Sequence, residues 1–450
     1  MHKEGIKLPE LFPLTSNEKV IIRASTLPSL LEGGVPPFGE ELPQRAAFYV
    51  EKGVLSTIRL IPEDGKIETP FSQPGWRSTL LPARQLLVPS FVDCHIHLAL
   101  DGVEGFRSLS APCSPRQLLT RLRALAAAGV LAVRDGGDRF SSAFSAQKLS
   151  SVIKHGTGLL PKIMATGFAL FRRGHYGAML GGEGLDGMTN LENEITRRKE
   201  AGAQQLKVIL SGLVSLTEPG KVGPLQFSLS ELQEIVNLAT AYELPVMVHA
   251  SSDAAVRLAV KAGVHSVEHG YFVAEETLRK MASTGVAWVP TLAPLAALAG
   301  RPVPTGRENH AAITEKAGMK QAATAEASSN SLNTPETMLK PIVAGHLRMI
   351  ARAHELGVTV GVGTDGGAPG VTWSGGYWME LALLARAGFA PQELLSLAAV
   401  NGAKLLGLEE ERGHIAVGKP PNWLCLDMDF LEGQLERETL KGIIYVADTC

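Results

Sequence analysis

Short apolar runs alternate with helix-like stretches through the middle of this chain of 450 residues. After each run come polar residues or glycines, and then apolar positions with the spacing of an amphipathic helix. Eight such runs stand at residues 86–97, 130–135, 163–170, 205–210, 246–249, 266–269, 286–291 and 358–364. Strands that alternate with helices in this way predict a parallel β-sheet.

The stretches between the runs carry the start and stop signals of helices. Residues 114–128, 189–201 and 253–262 each begin at a serine, threonine or aspartate and end just before a glycine. Eight strands with intervening helices predict an α/β fold of the (β/α)8 TIM-barrel type. A doubly wound open sheet is the alternative, and it is disfavoured because no Gly-x-Gly-x-x-Gly follows the first run.

Outside the repeating region the pattern changes. Residues 43–88 and 413–450 contain short alternating pieces between proline and glycine turns, which predict short strands. Residues 1–42 are rich in proline and glycine, and we expect them to extend over the surface. Between the seventh run and its helix, residues 297–341 form a long polar insertion. Such an insertion is either a lid over a functional site or a helical surface element without a catalytic role.

Composition narrows the class of protein. Hydrophobic residues make up 45% and charged residues 20% of the chain, as in globular enzymes, and the net charge of −2 favours neither nucleic acid nor anionic membranes as partners. The 4 cysteines are scattered without a Cys-x-x-Cys pair, which fits a reducing compartment. No apolar signal segment is visible, so we expect a cytoplasmic enzyme with a small-molecule substrate. A homo-oligomer is compatible with the sequence.

Residue types that bind metal ions stand at the ends of five of the apolar runs. His95 and His97 close the first run, and because side chains alternate along a strand, both point to the same face. The complete set is His95, His97, Lys207, His249, His269 and Asp365. Since the ends of parallel barrel strands meet at one mouth, the sequence predicts that these side chains share a metal site there.

Lys207 lies inside an apolar run, between Leu206 and Val208. This context predicts a buried strand, in which an unpaired ammonium group would be costly. The side chain could instead reach along the strand and keep its charge in water at the barrel mouth.

With these residues the chain resembles the metal-dependent amidohydrolase superfamily. The pattern of that superfamily is His-x-His on the first barrel strand, Lys on the fourth, His on the fifth and sixth, and Asp on the eighth. The resemblance covers residues 87–427 and is strongest to the imidazolonepropionase and metal-dependent prolidase branch. The phrases that carry it are Ala-Gly-Ala-Gln-Gln-Leu-Lys at 201–207, Ser-Val-Glu-His-Gly at 266–270 and Val-Pro-Thr-Leu at 289–292.

The resemblance implies a domain organisation as well as the barrel. Members of this superfamily commonly combine their two ends into a small β-sandwich beside the barrel. We therefore expect residues 1–87 to form an extension and part of the sandwich, residues 88–408 the barrel, and residues 409–450 the remainder of the sandwich.

The resemblance also implies a reaction and its cofactors. Lys207 would react with carbon dioxide, and the resulting carbamate would bridge two divalent ions, most suitably zinc, with manganese, iron or cobalt as alternatives. His95, His97 and Asp365 would bind one ion, and His249 and His269 the other. Asp365 would also accept a proton from the bridging water, and the resulting hydroxide would hydrolyse a linear amide, a cyclic amide or a dipeptide.

Substrate contacts are expected in two loops at the mouth. The branch carries a substrate-contacting histidine in a Gly-His-Gly phrase after the third strand, which corresponds to His175, with Arg172 and Arg173 beside it. Tyr271 could donate a hydrogen bond to the tetrahedral oxyanion, or pack in the core. The aromatic residues at 373, 377 and 378 could line an apolar pocket, and the alternative is again a place in the core.

Three other functions are compatible with parts of the pattern. A heterocycle deaminase of the same superfamily more typically uses one ion and no carbamate. A non-catalytic assembly module usually loses ligands, whereas this chain keeps the full set. A phosphotriester or lactone hydrolase would use the same activated water.

Overall fold

A closed parallel barrel forms the centre of the computed structural model, which describes residues 9–31, 43–61, 75–101, 111–154, 159–215, 218, 220–300 and 335–447. The barrel strands are β7 (Phe91–Ile96), β8 (Val130–Asp135), β9 (Lys162–Met164), β10 (Leu206–Ile209), β11 (Val246–Ala250), β12 (Ser266–His269) and β13 (Ala287–Val289). They pair in parallel within two groups, β7-β8-β9 and β10-β11-β12-β13.

Single bridges close these two groups into a ring. Leu170, a few residues after β9, pairs with Val208 of β10. The eighth position is held by residues 358–366, in which Val360 pairs with Trp288 of β13 and Gly366 pairs with Ile96 of β7. The eight-stranded barrel predicted from the sequence is therefore confirmed, with its eighth strand held by isolated bridges rather than by a continuous ladder.

Three of the barrel helices lie within the ranges that the sequence predicts, 114–128, 189–201 and 253–262. The helices after β7 to β13 are α1 (Pro115–Ala127), α2 (Ser142–Lys154), α3 (Ala178–Gly181), α4 (Leu191–Glu200), α5 (Leu229–Ala241), α6 (Asp253–Ala262), α7 (Glu275–Thr284), α8 (Leu292–Ala299) and α9 (Pro335–Glu355). Ser114 caps α1 in a capping box with Gln117, and Gly263 ends α6 in the left-handed conformation. The eighth position is followed by α10 (Gly376–Arg386), α11 (Pro391–Leu395) and α12 (Gly402–Leu406).

Strands from both ends of the chain form a second sheet. They are β1 (Glu10–Thr15), β2 (Lys19–Thr26), β3 (Gln44–Glu51), β4 (Val54–Leu60), β5 (Arg77–Leu80), β6 (Gln85–Pro89), β14 (Asn422–Asp427) and β15 (Leu440–Ala447). Their order is β1-β15-β14-β6-β2-β3-β4, with β5 paired to β2. Leu14 of β1 and Leu55 of β4 share one buried cluster, so this single sheet curls until its two ends enclose a common core.

One expectation about the N-terminal segment needs correction. The sequence predicts a surface extension over residues 1–42, but β1 and β2 lie within this range and are integral strands of the sheet. The apolar residues Val20, Ile21 and Ile22 are all buried, a run too short to stand out from the surrounding prolines and glycines. Most of the insertion at 297–341 falls outside the described residues. No helix of the described residues is long and apolar enough to cross a membrane.

Candidate metal centre

The six predicted metal ligands come together at the C-terminal ends of the barrel strands. Five of them are almost completely buried, namely His95, His97, Lys207, His249 and His269. Asp365, near the end of the eighth barrel position, keeps 16% of its side-chain surface exposed. The parallel arrangement accounts for this convergence, since each strand delivers its last residues to the same mouth.

Three of these side chains form a compact group of metal-ligand atoms. The ligand atoms of His95, His97 and Asp365 all lie within 4.8 Å of one another. The Asp365 Oδ1 atom is 3.4 Å from His97 Nε2 and 3.8 Å from His95 Nε2. The Nζ atom of Lys207 lies 3.5 Å from the same Nε2 atom of His95.

The remaining two histidines continue this group. The ring of His269 lies 5.1 Å from that of His95 between centroids, and 4.4 Å from the ring of His249. Lys207 and His249 stand on neighbouring strands, β10 and β11. All six predicted ligands thus belong to one continuous cluster, with Lys207 and His95 between the Asp365 side and the His249 side.

Each histidine has one ring nitrogen held by a neighbouring group, which leaves the opposite nitrogen for the cluster. His95 Nδ1 lies 2.6 Å from the Glu268 carboxylate. The other three contacts are His97 Nδ1 with the Gly137 carbonyl at 2.9 Å, His269 Nδ1 with the Thr291 hydroxyl at 2.7 Å, and His249 Nε2 with the Gly212 carbonyl at 3.4 Å.

Burial determines the protonation of the cluster. Burial, together with the nearby Lys207 ammonium, lowers the pKa of His97 and of His249 to about 3. The pKa of Lys207 itself is lowered to about 8, mainly because its charged form loses water. Burial raises the pKa of Asp365 to about 6, and the Lys207 charge partly opposes this shift. Neutral imidazoles are the form that binds metal ions.

The backbone is strained at three points of the mouth. His269, Thr291 and Asp365 have φ values of 72°, 49° and 51°, in the left-handed region that residues other than glycine rarely adopt. Consecutive strand residues normally point to opposite faces, yet Glu268 and His269 both reach the cluster. The left-handed backbone at His269 accounts for this, because it turns the end of the strand inward.

A buried ion pair beneath His95 was not predicted from the sequence. Arg134 NH2 lies 2.8 Å from Glu268 Oε1, and both side chains are at most 1% exposed. The same guanidinium donates through Nε to the Cys94 carbonyl at 2.6 Å and through NH1 to the Ser266 hydroxyl at 2.8 Å. A charged residue inside an apolar run was the available signal, since Arg134 and Glu268 each stand in a predicted buried strand.

The Tyr271 hydroxyl lies close to both His269 and Thr291. It is 3.4 Å from His269 Nδ1 and 3.3 Å from Thr291 Oγ1, so it sits beside the nitrogen that Thr291 already holds. The hydroxyl of the predicted oxyanion donor thus contacts a predicted ligand and Thr291, and its contact with substrate stays a prediction. Its position fits a side chain that supports His269.

In the loop after the third barrel strand, the predicted substrate residues are exposed or form ion pairs. His175 is exposed, and its Nδ1 atom lies 3.3 Å from the Arg173 carbonyl. Arg173 is paired with Asp186 at 2.5 Å. Arg172 is paired with Glu231 at 2.6 Å. Each arginine therefore already has a carboxylate partner. The contact with substrate that the sequence suggests for them stays a prediction.

The aromatic segment after the eighth barrel position belongs to the core. Tyr377 stacks on Phe91 with 5.3 Å between centroids and donates its hydroxyl hydrogen bond to the Val92 carbonyl. Trp378 packs edge-on against the same Phe91 ring. For these two residues the apolar-pocket interpretation is wrong and the core interpretation is correct.

Comparisons with known proteins agree with this architecture. A model described as the amidohydrolase family matches residues 86–445. Ochratoxinase of Aspergillus niger is 24% identical over 388 residues, which cover 80% of this chain and 74% of ochratoxinase. A Xaa-Pro dipeptidase with methionine bound in its active site has a TM-score of 0.71 at 20% identity, over 95% of this chain and 98% of the dipeptidase. A prolidase in complex with N-methylphosphonate-L-proline has a TM-score of 0.70 at 21% identity, over 96% and 98%.

Proposed function

This chain belongs to the amidohydrolase family and is a metal-dependent hydrolase of carbon–nitrogen bonds, and we propose that its centre holds a pair of divalent ions bridged by a carbamate on Lys207. The donor set fits such a centre. Four buried imidazoles, one carboxylate and one lysine surround the same space, and lowered pKa values keep the imidazoles neutral. Ligation by imidazole together with carboxylate suits zinc.

The environment of Lys207 carries this proposal. Its side chain is 1% exposed, and among the residues that the structure describes it forms no ion pair within salt-bridge distance. A buried ammonium in this position costs several kcal/mol in general. Addition of carbon dioxide to the neutral amine forms an N–C bond and releases a proton, so that a carbamate anion replaces the cation. The lowered pKa of Lys207 increases the share of neutral amine that can react.

Divalent ions at such a centre would lower the pKa of a bound water and would polarise the carbonyl group of the scissile amide. Asp365 is the residue placed to move the protons. Its Oδ1 atom borders both His95 and His97, and its side chain is the most exposed of the six. We assign it as the base that takes a proton from the attacking water. The same carboxyl group then returns this proton to the nitrogen as the C–N bond breaks.

We propose a small amide as substrate, either a dipeptide or an N-acyl amino acid. The support comes from the similar structures, of which one is a Xaa-Pro dipeptidase and another is a prolidase that holds N-methylphosphonate-L-proline. A phosphonate has the tetrahedral shape and negative charge that an amide carbon acquires during hydrolysis. The polar loop at residues 172–176 borders the mouth and could contact a charged group of such a substrate.

The test is a screen of the metal-loaded protein against N-acyl amino acids, Xaa-Pro dipeptides, cyclic amides, heterocyclic amines, phosphotriesters and lactones. We expect release of an amino acid from at least one amide class, loss of this activity after treatment with a chelator, and recovery when metal is added back. Ammonia release from heterocyclic amines, with every amide left intact, would instead identify a deaminase. Hydrolysis confined to phosphotriesters or lactones would also contradict the proposal.

A further inference from the structure

Tyr176, next to the predicted substrate residue His175, packs its ring against His249 of the predicted metal centre. Its ring lies 5.5 Å from the ring of His249 between centroids, at an angle of 50°. His175 itself is exposed to solvent.

The backbone around Tyr176 is fixed on both sides. Its carbonyl accepts a hydrogen bond from the Gln226 side-chain amide at 2.8 Å, and the oxygen of the same amide accepts from the Arg172 N–H at 2.9 Å. Gly177 follows with a φ of 136°, and a Cβ atom there would lie 2.7 Å from the Phe171 ring. Only glycine fits this tight turn, which therefore sets the direction in which Tyr176 leaves the loop.

The hydroxyl groups of the two mouth tyrosines differ in their partners. The Tyr271 hydroxyl has partners in the carbonyl and hydroxyl groups of Thr291, at 3.4 Å and 3.3 Å. For the Tyr176 hydroxyl, no hydrogen bond to another described residue is formed. A phenol that has no hydrogen-bond partner among the described residues and whose ring packs against His249 is placed to donate a hydrogen bond to a bound substrate.

We propose that Tyr176 is a further catalytic residue, whose hydroxyl donates a hydrogen bond to the substrate carbonyl oxygen as the amide carbon becomes tetrahedral. This inference rests on the proposed amide hydrolysis. As the bond from the water oxygen to carbon forms, the carbonyl oxygen gains negative charge, and the Tyr176 O–H dipole stabilises it without transferring its proton. When the C–N bond breaks, the charge returns to the carbonyl double bond and the nitrogen leaves with the proton that Asp365 supplies.

The test compares Tyr176→Phe with Tyr242→Phe. The control removes a tyrosine hydroxyl that bonds to Thr196 on the outer helices, far from the mouth. Loss of one oxyanion donor typically lowers kcat by about 10²–10³-fold. We expect this loss for Tyr176→Phe with a KM within about threefold of the wild type, because the bond strengthens in the transition state. Metal content should be unchanged in both variants, and the control should retain full activity.

Binding of a phosphonate dipeptide analogue gives a readout that needs no turnover. Calorimetry with metal-loaded protein should show that Tyr176→Phe weakens this analogue far more than it weakens the corresponding amide substrate. Equal weakening of both ligands, an increase confined to KM, or unchanged kcat and analogue affinity would each overturn the role of Tyr176. If no amide in the panel is hydrolysed by the wild type, the proposed function fails, and the calorimetric comparison still decides whether the Tyr176 hydroxyl contacts a tetrahedral anion.

Discussion

The floor and the rim of the barrel mouth are built differently. On the floor, every histidine of the cluster is buried and has one nitrogen fixed by a neighbour, as Glu268 fixes His95 at 2.6 Å. On the rim, His175 is exposed and Arg173 keeps 51% of its side-chain surface in solvent. The floor is therefore preorganised for one chemistry, whereas the exposed side chains of His175 and Arg173 can change their contacts at little cost. This difference predicts which substitutions abolish the reaction and which only change its substrate preference.

The largest effect is expected on the floor, for Asp365→Asn. The amide keeps nearly the same shape as the carboxylate but cannot accept a proton from water. Turnover should fall by about 10²–10⁴-fold, which is the usual contribution of a positioned acid–base group. Circular dichroism should show that the fold survives. Retention of more than about a tenth of the activity would remove Asp365 as the base.

A smaller effect is expected for Glu268→Gln, which replaces the carboxylate that contacts His95. The variant weakens the hold on His95 Nδ1 and leaves the Arg134 guanidinium buried without its carboxylate. Loss of such a partner typically costs about 10–100-fold in metal affinity, and breaking a buried pair costs about 3–5 kcal/mol of stability. Metal titration and chemical denaturation measure the two effects. The exposed Glu234→Gln on α5 is the control, and equal behaviour of both variants would show that Glu268 does not position His95.

The pattern of the sequence is informative about the floor for a physical reason. A buried strand end has little conformational freedom, so His95, His97 and Asp365 converge once the barrel order is known. Glu268 was missed because its partner Arg134 stands 134 residues away and only the closed barrel brings them together. For Tyr377 and Trp378 the sequence could not decide between core and pocket, because an aromatic residue after a turn packs equally well in either place.

The smallest and most selective effect is expected on the rim, for His175→Ala. We expect this variant to lower kcat/KM for a charged amide by about tenfold, as for loss of one charge-assisted hydrogen bond, and to leave a neutral analogue nearly unaffected. Metal content should not change, because His175 is not in contact with the cluster. Equal losses on both substrates, or none on either, would place specificity elsewhere on the rim.

The central claim concerns Lys207, and metal stoichiometry tests it most directly. Protein prepared with zinc and bicarbonate should contain about two ions per chain by elemental analysis, as in other two-metal hydrolytic sites. The Lys207→Gln variant cannot form a carbamate and should retain at most one. A wild-type protein with a single ion or none, or a Lys207→Gln variant that still holds both, would contradict a carbamate-bridged centre.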